Sequence, residues 1–444
     1  MLDNIIELLN NNKFQDIKDI LNNTNDVDVA ELINDIEKDY RLKIFRLLNK
    51  DSSANVFSYL DIDIQQELIS SLTDNETMNI INNLYTDDAV DLLDELPSNV
   101  VKKILNKVDK QTRNDINRLL NYEENSAGSI MTTEYIEFKE NITVSEALKQ
   151  IRKKQDDLVS VDTSFVISNS RLLIGYITLK DLIFSSPNKK IKNIMNTNVI
   201  SVITNTDQEQ VANIMQDYDL TSIPVTDKDN RLVGIITIDD VIDILEEEAT
   251  EDIEKMAAIV PTEKPYLKLS IFDIYKSRIP WLLLLMISAT FTGKIIEHYE
   301  ASLKAYVILT AFIPMLMDTG GNAGGQASVT IIRGLSLNEI DFKDILKVIF
   351  KEFRVSLLIG LTLAIANFIK LILIDQVTII IAMVICITLI ITLILAKIIG
   401  CSLPIIAKKI GFDPAVMASP FITTIVDAVS LITYFKIATL LLGI

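Results

Sequence analysis

Five apolar runs decide what this chain can become. They lie near residues 279–297, 303–331, 350–374, 377–400 and 414–442, and each is long enough to cross a bilayer. Inside hydrocarbon a backbone must satisfy its own hydrogen bonds, so residues 271–444 read as an α-helical domain of five transmembrane helices. The second run carries a break, because FIPMLMDTGGNAGGQASVTIIRG, residues 312–334, mixes Pro314 and Asp318 with glycines and amides. Lys and Arg gather after the second run (Arg333, Lys343, Lys347, Lys351, Arg354) and after the fourth (Lys397, Lys408, Lys409). The positive-inside rule puts both loops in the cytosol. Five crossings of the plasma (inner) membrane then leave the C-terminus outside and the N-terminal half in the cytoplasm.

Charge divides the chain the same way. From residue 267 onward 15 Lys/Arg face 11 Asp/Glu, whereas residues 1–266 hold 27 against 49, a net of −22. The opening MLDNIIELLNNNKFQDI lacks the basic start and apolar core of a leader, which agrees with a cytosolic acidic half. Both cysteines, Cys386 and Cys401, fall in apolar segments and read as small buried residues. His298, the single histidine, sits in a short polar loop. One histidine, no nucleophile–base pair, no Walker loop and no zinc motif argue against an enzyme. Nothing points to nucleic acid.

Residues 1–125 read as an all-α cytosolic domain. Apolar residues recur at three- and four-residue spacing in IIELLNNNKFQDIKDIL, ELINDIEKDYRLKIFRLL and AVDLLDELPSNVVKKIL, with Asn/Asp-rich breaks between. Short, similar segments of this kind predict stacked helical hairpins in a small superhelix. Residues 126–245 hold an internal repeat. IMTTEYIEF is echoed by IMNTNVISV, and RLLIGYITLKDLI by RLVGIITIDDVI, so that Ile130-Met131 recurs at Ile194-Met195 and Gly175 at Gly234. The pair, about 126–190 and 191–245, resembles the α/β tandem CBS module. The match is the G-x-I-T-x-x-D ending, Gly175 to Asp181 and Gly234 to Asp240. That resemblance makes ATP a candidate ligand, with Asp181 and Asp240 as the candidate nucleotide-binding residues. Residues 246–270 supply an acidic connecting helix and a Pro-containing linker.

Two membrane features carry chemistry. FITTIVDAVSLITYF, residues 421–435, buries Asp427 in a run without Lys or Arg. An ionised carboxylate near the bilayer centre costs at least roughly 2.5–3.5 kcal/mol, so it needs a purpose. Pro314, the glycines, Asn322 and Gln326 predict non-helical backbone at membrane depth, which is tolerated only against protein or a water-filled path. The alternative is a kinked helix packed closely through small residues. Carboxylate, amide and carbonyl oxygens suit hard cations, and Mg²⁺ needs only one or two carboxylates because it keeps several waters.

The spacing P-x-x-x-x-x-G-G-N-x-G-x-Q, Pro314 to Gln326, and DPAVMASPFITTIVDAVSLITYF, Asp413 to Phe435, resemble the MgtE magnesium channels and transporters. The resemblance covers the whole chain: helical N domain, CBS pair, acidic "plug" helix and membrane helices. It implies a homodimer in the lipid bilayer with the pore on its twofold axis, Mg²⁺ as both substrate and regulator, and Asp427 as the pore carboxylate. Asp413 opens the same helix. Pro314, Gly320, Gly321, Asn322, Gly324, Gln326, Ser419 and Thr424 are the expected pore-lining residues.

IDDVIDILEEEATEDIEKM puts Asp240, Asp243, Glu247 and Glu251 on one helical face, with Glu248 and Asp252 beside them. Like charges so placed destabilise a helix unless something neutralises them. Divalent ions could bridge them to Asp87, Asp88 and Asp91, or to Asp207, Glu209 and Asp219. High internal Mg²⁺ would then compact the soluble half and close the pore, as the resemblance implies. Three rivals stay open: broader selectivity (Co²⁺, Mn²⁺, Ni²⁺ or Ca²⁺), a coupled transporter with Asp427 as proton carrier, and a non-transporting receptor that reports Mg²⁺ or ATP.

Overall fold

A computed structural model describes residues 1–154, 158–262, 266–417 and 419–443, the side chains of Asp51, Lys268, Ala301, Ser302 and Ser419 excepted. The chain divides into two compact units, residues 1–245 and 246–444.

The first unit begins with short helices, α1 (Leu2–Asn10) to α10 (Lys110–Leu119). Their apolar stripes turn inward, so that Ile5, Ile17, Ile33, Ile44, Phe57, Leu68 and Ile81 share one buried core. Alternate helices stack. α3 (Asp26–Asp35) packs on α5 (Lys50–Ser58), α5 on α7 (Asp74–Ile81), and α7 on α9 (Ser98–Leu105). In a second row α4 (Lys38–Phe45) packs on α6 (Ile62–Ser71), and α6 on α8 (Thr86–Asp94). This is the predicted superhelix. Polar residues between the apolar segments serve as caps. Asn25 accepts from the Val27 amide, Thr73 and Glu76 form a capping box, and Asp109 accepts from the amides of Gln111 and Thr112.

The repeat forms two matching sheets, β1 (Glu137–Lys139), β2 (Thr163–Ile167), β3 (Leu173–Thr178) and β4 (Val202–Ile203), β5 (Ser222–Thr226), β6 (Leu232–Thr237). In each, the first pair is parallel and the second antiparallel, with one register shift near the end of the middle strand. Helices α11 (Val144–Lys153), α12 (Leu179–Phe184), α13 (Gln208–Asp217) and α14 (Ile238–Met256) alternate with the strands. The repeated residues explain one another. A Cβ on Gly234 would fall 2.5 Å from the Met131 sulfur, and one on Gly175 would fall 3.0 Å from the Met195 sulfur. Each copy therefore lays its Ile-Met segment across the other's glycine, and Thr132 pairs with Ile235 as Asn196 pairs with Tyr176. Neither copy completes its own sheet face, which is why they come as a pair.

The second unit holds the end of α14 and the long helices α15 (Ile271–His298), α17 (Ile313–Ser336), α18 (Ile345–Leu373), α19 (Ile379–Lys409) and α20 (Ser419–Leu442), with short α16 (Glu300–Ala305) after α15. By length and composition, four spans among the described residues suit a membrane: 271–298, 342–373, 379–409 and 414–442. The fifth expected crossing is α17, whose polar and glycine content is too high. α19 lies at the centre and packs on α17, α18 and α20, while α15 touches α20.

Three expectations need correction. The break in the second run is not at its glycines: α17 is continuous helix through Gly320–Gly325, and the irregular backbone lies earlier, at the 3₁₀ turn Val307–Phe312. The glycines serve close helix packing instead. Lys397 is no loop residue. It is buried within α19 and paired with Glu352 of α18 at 3.3 Å. His298 ends α15 and stands edge-on to Tyr299. Both cysteines are buried and unlinked, as read.

Candidate functional site

The membrane site is built from one face of α17. Pro314, Asp318, Asn322, Gln326, Thr330 and Arg333 are all exposed, at nearly four-residue spacing. The opposite face is sealed. A Cβ on Gly320 would meet Thr392, Ser430 and Val426; one on Gly321 would meet Thr423; one on Gly324 would meet Ile422 at 2.9 Å and the Ala396 carbonyl at 3.2 Å. A Cβ on Gly400 of α19 would run into the Gly324 carbonyl. Small residues thus bring α17 against α19 and α20 and leave those six side chains in a single stripe, while Ser328 on the packed side donates to the Met417 carbonyl at 3.2 Å. Of the expected pore-lining residues, Asn322, Gln326 and Pro314 are on that stripe, whereas Gly320, Gly321 and Gly324 are buried behind it. Thr424 turns its hydroxyl back to the Pro420 carbonyl at 3.0 Å. The side chain of Ser419 lies outside the described residues.

Asp427 is half-buried on α20, and its Oδ1 is buried with no hydrogen-bond partner. The charges of Asp427 and Asp318 act on one another across the α17–α20 contact. Asp318 is absent from the expected set, although its spacing, one turn before Asn322, was there to be read.

A second group lies at the end of α14. Lys255 Nζ is 2.7 Å from Glu251 and 2.7 Å from Asp413 Oδ2. The other oxygen of Asp413 accepts from the Ala415 amide at 2.8 Å, which fixes it at the turn before α20. Burial raises the pKa of Asp252, and the Asp413 charge adds to that. Glu251, Asp252 and Asp413 were expected as metal ligands, and the structure does bring them together. Lys255 among them was not expected. Its i, i+4 spacing from Glu251 is the signal that could have found it.

A third group lies in the first unit. Asp87 and Asp88 open α8, and the charges of Asp239 and Asp240, at the start of α14, reach them. Burial, then Asp240, lifts Asp87 well above the usual carboxylate range and pushes Asp88 up to about 7. Asp240 is raised by burial, with Asp239 and Asp243 adding to it against the hydrogen bond from Thr237. Glu134, another residue missed, sits beside them and accepts from the Thr86 amide and the hydroxyls of Thr86 and Thr132. Asp91 is exposed on the same helix as Asp87 and Asp88.

Several of the other expected residues also make local hydrogen bonds. Asp181 closes a capping box with Thr178, and Asp240 accepts from the amide and hydroxyl of Thr237, with hydroxyl contacts of 2.6 and 2.7 Å. Asp207 caps α13 by accepting from the Glu209 amide, and exposed Asp219 has φ 52°. Asp243 is exposed and Glu248 half-buried on α14. Among the described residues, no group of three or more His, Cys, Asp or Glu side chains converges as a metal cage.

Comparison with known proteins fits this layout. The sequence profile of MgtE, described as a divalent cation transporter, matches residues 313–437; that of the MgtE intracellular N domain matches 24–125; CBS domains match 127–187 and 191–247. The magnesium transporter MgtE of Thermus thermophilus is 36% identical over 341 residues, 76% of this chain and 74% of that one. Its namesake in Bacillus subtilis is 38% identical over 325 residues, 72% of this chain and 70% of that one. The solved cytosolic domain of the Mg²⁺ channel MgtE in complex with ATP is 33% identical, with TM-score 0.53 over 55% of this chain and 100% of that one. The soluble part of a magnesium transporter matches at 30% identity and TM-score 0.53, over 56% of this chain and 98% of that one.

Proposed function

The chain belongs to the MgtE family of divalent cation transporters, and from that premise we propose that it carries Mg²⁺ across the cell membrane and is closed by Mg²⁺ on its acidic cytosolic groups. The observation that carries the reading is the exposed stripe Asp318, Asn322, Gln326 and Thr330 on a membrane helix, beside the unpartnered Oδ1 of Asp427. Exposed to lipid, such a stripe is costly; lining a wet path, it supplies the oxygens that hold a hydrated ion. Asp427 is the ion's charged contact. Two copies about a twofold axis, facing stripe to stripe, complete the path.

The same reading gives the acidic half a task. Asp87, Asp88 and Asp91 on α8, Asp207, Glu209 and Asp219 in the second CBS copy, and Asp240, Asp243, Glu248, Glu251 and Asp252 on α14 are the sensing carboxylates. Mg²⁺ closes the protein by binding its compact form better than its open form. The relative solved with ATP supports a nucleotide at the CBS pair, held near Asp181 or Asp240.

The test is Mg²⁺ influx into liposomes holding the purified protein, read by an internal Mg²⁺ dye. Asp427→Ala should cut influx by roughly an order of magnitude or more. Equal influx in both proteins would move the ion path away from Asp427, and none in the folded wild type would leave a receptor.

A further inference from the structure

The end of α14 holds a cation of its own. Two carboxylates share one partner there, Glu251 on the helix and Asp413 at the turn before α20, and the charges of Asp252 and Asp413 act on one another. Lys255 lies between Glu251 and Asp413, 2.7 Å from each. That is the place a bridging divalent ion would take, and the lysine side chain is only 23% exposed. The surroundings fix this end of the helix. Met256 packs on Ile332 and Ala415, Glu254 accepts from the Thr262 amide at 2.9 Å, and the Val260 amide donates to the Ser277 carbonyl at 2.9 Å.

We propose that Lys255 is a positioning residue that acts in place of one regulatory ion, tying the end of α14 to Asp413 at the base of α20 without Mg²⁺. The proposal rests on the gated-transport reading above and takes Glu251 and Asp252 out of its set of ion-binding carboxylates. Closure at this point needs no divalent ion of its own, because a tethered ammonium offsets the mutual repulsion of Glu251, Asp252 and Asp413. Remove the ammonium and those charges stand unbalanced at short range, so a Mg²⁺ must be recruited before the helix can seat. Lys255 thereby sets the internal Mg²⁺ at which the protein closes, without touching the ion in transit.

The experiment uses the full chain in liposomes and measures Mg²⁺ influx against internal Mg²⁺ for wild type, Lys255→Met, Lys255→Arg and Lys255→Met/Asp413→Asn. In Lys255→Met, half-inhibition should move to Mg²⁺ about fivefold higher, the scale of a single ion pair, with influx at very low internal Mg²⁺ unchanged. Lys255→Arg should keep the wild-type midpoint, and Asp413→Asn should recover part of the shift by removing one of the repelling charges. A midpoint unchanged in Lys255→Met would overturn the proposal, as would a downward shift, which would make Lys255 a competitor of Mg²⁺. A second readout needs no transport. With Met256→Cys and Ala415→Cys present, oxidative cross-linking in chelator should be fast in the Lys255 background and several times slower with Lys255→Met. Equal rates would overturn the tether even if the protein carries Mg²⁺, whereas failed wild-type influx with Lys255-dependent cross-linking would sink the transport reading alone.

Discussion

The two acidic clusters of this protein solve the same problem differently. At the end of α14, Glu251 and Asp413 share the ammonium of Lys255. At the start of α14, the charges acting most strongly on Asp87, Asp88 and Asp240 are other carboxylates. The first cluster carries its own counter-charge; the second has to import one, as protons or as cations. A cluster that must import charge responds to what the solution offers. On the gated-transport reading proposed above, the contrast would place Mg²⁺ sensing mainly at the Asp87/Asp88/Asp240 group and a fixed seat at the Lys255 group.

The largest effect should come from discharging the second cluster. Asp87→Asn/Asp88→Asn should stabilise the first unit in Mg²⁺-free buffer by on the order of 2 kcal/mol, or about 4–8 °C in its melting temperature. The same variant should lose most of the stabilisation that added Mg²⁺ gives the wild type. Calorimetry of the full chain with and without Mg²⁺ reads both. A double variant that melts lower than wild type in chelator would show that these carboxylates are held by something other than repulsion.

Protons should substitute for the metal. Asp88 has its carboxyl raised from 3.8 to about 7, so the folded unit holds that proton more tightly than the unfolded chain does. Its contribution is most favourable below pH 4 and is lost as the pH climbs through 7. Without divalent ions the first unit should therefore melt at lower temperature at pH 8 than at pH 5.5, and Asp88→Asn should flatten that difference. Saturating Mg²⁺ should flatten it too, because the ion then neutralises the carboxylate at either pH. A pH slope that Mg²⁺ leaves intact would separate the proton from the metal.

How much of this was legible in the residues depends on whether the signal was periodic or spatial. The helices of residues 1–119 and the CBS repeat follow from three- and four-residue spacing and from echoed Ile-Met and glycine positions, and both are seen in the structure. The glycines of GGNAGG misled, because a residue that permits a break also permits contact. Only the facing Thr392, Ile422 and Val426 decide which, and they are 72 to 106 positions away in sequence. Lys397 misled for the same reason: its partner Glu352 is 45 residues earlier. Asp318 and Lys255 needed no distant knowledge, being one helical turn from Asn322 and Glu251. Glu134 could not have been found, since nothing in TTEYIEF tells that it meets Thr86.

Glu134 also gives the smallest and most discriminating test of the contrast. It belongs to the uncompensated cluster, yet hydrogen bonds from the Thr86 amide, the Thr86 and Thr132 hydroxyls and the Thr133 amide, at 2.5–3.2 Å, offset its charge. Glu134→Gln keeps one oxygen acceptor and removes the charge, so two terms oppose each other. The weakened cap on α8 should cost about 1 kcal/mol. Less negative charge beside Asp87 and Asp88 should return part of that, but only while no Mg²⁺ neutralises them. The variant should therefore lose about 1 kcal/mol in saturating Mg²⁺ and less in chelator. If the loss is the same under both conditions, Glu134 is purely a cap and stands outside the uncompensated cluster of Asp87, Asp88, Asp239 and Asp240.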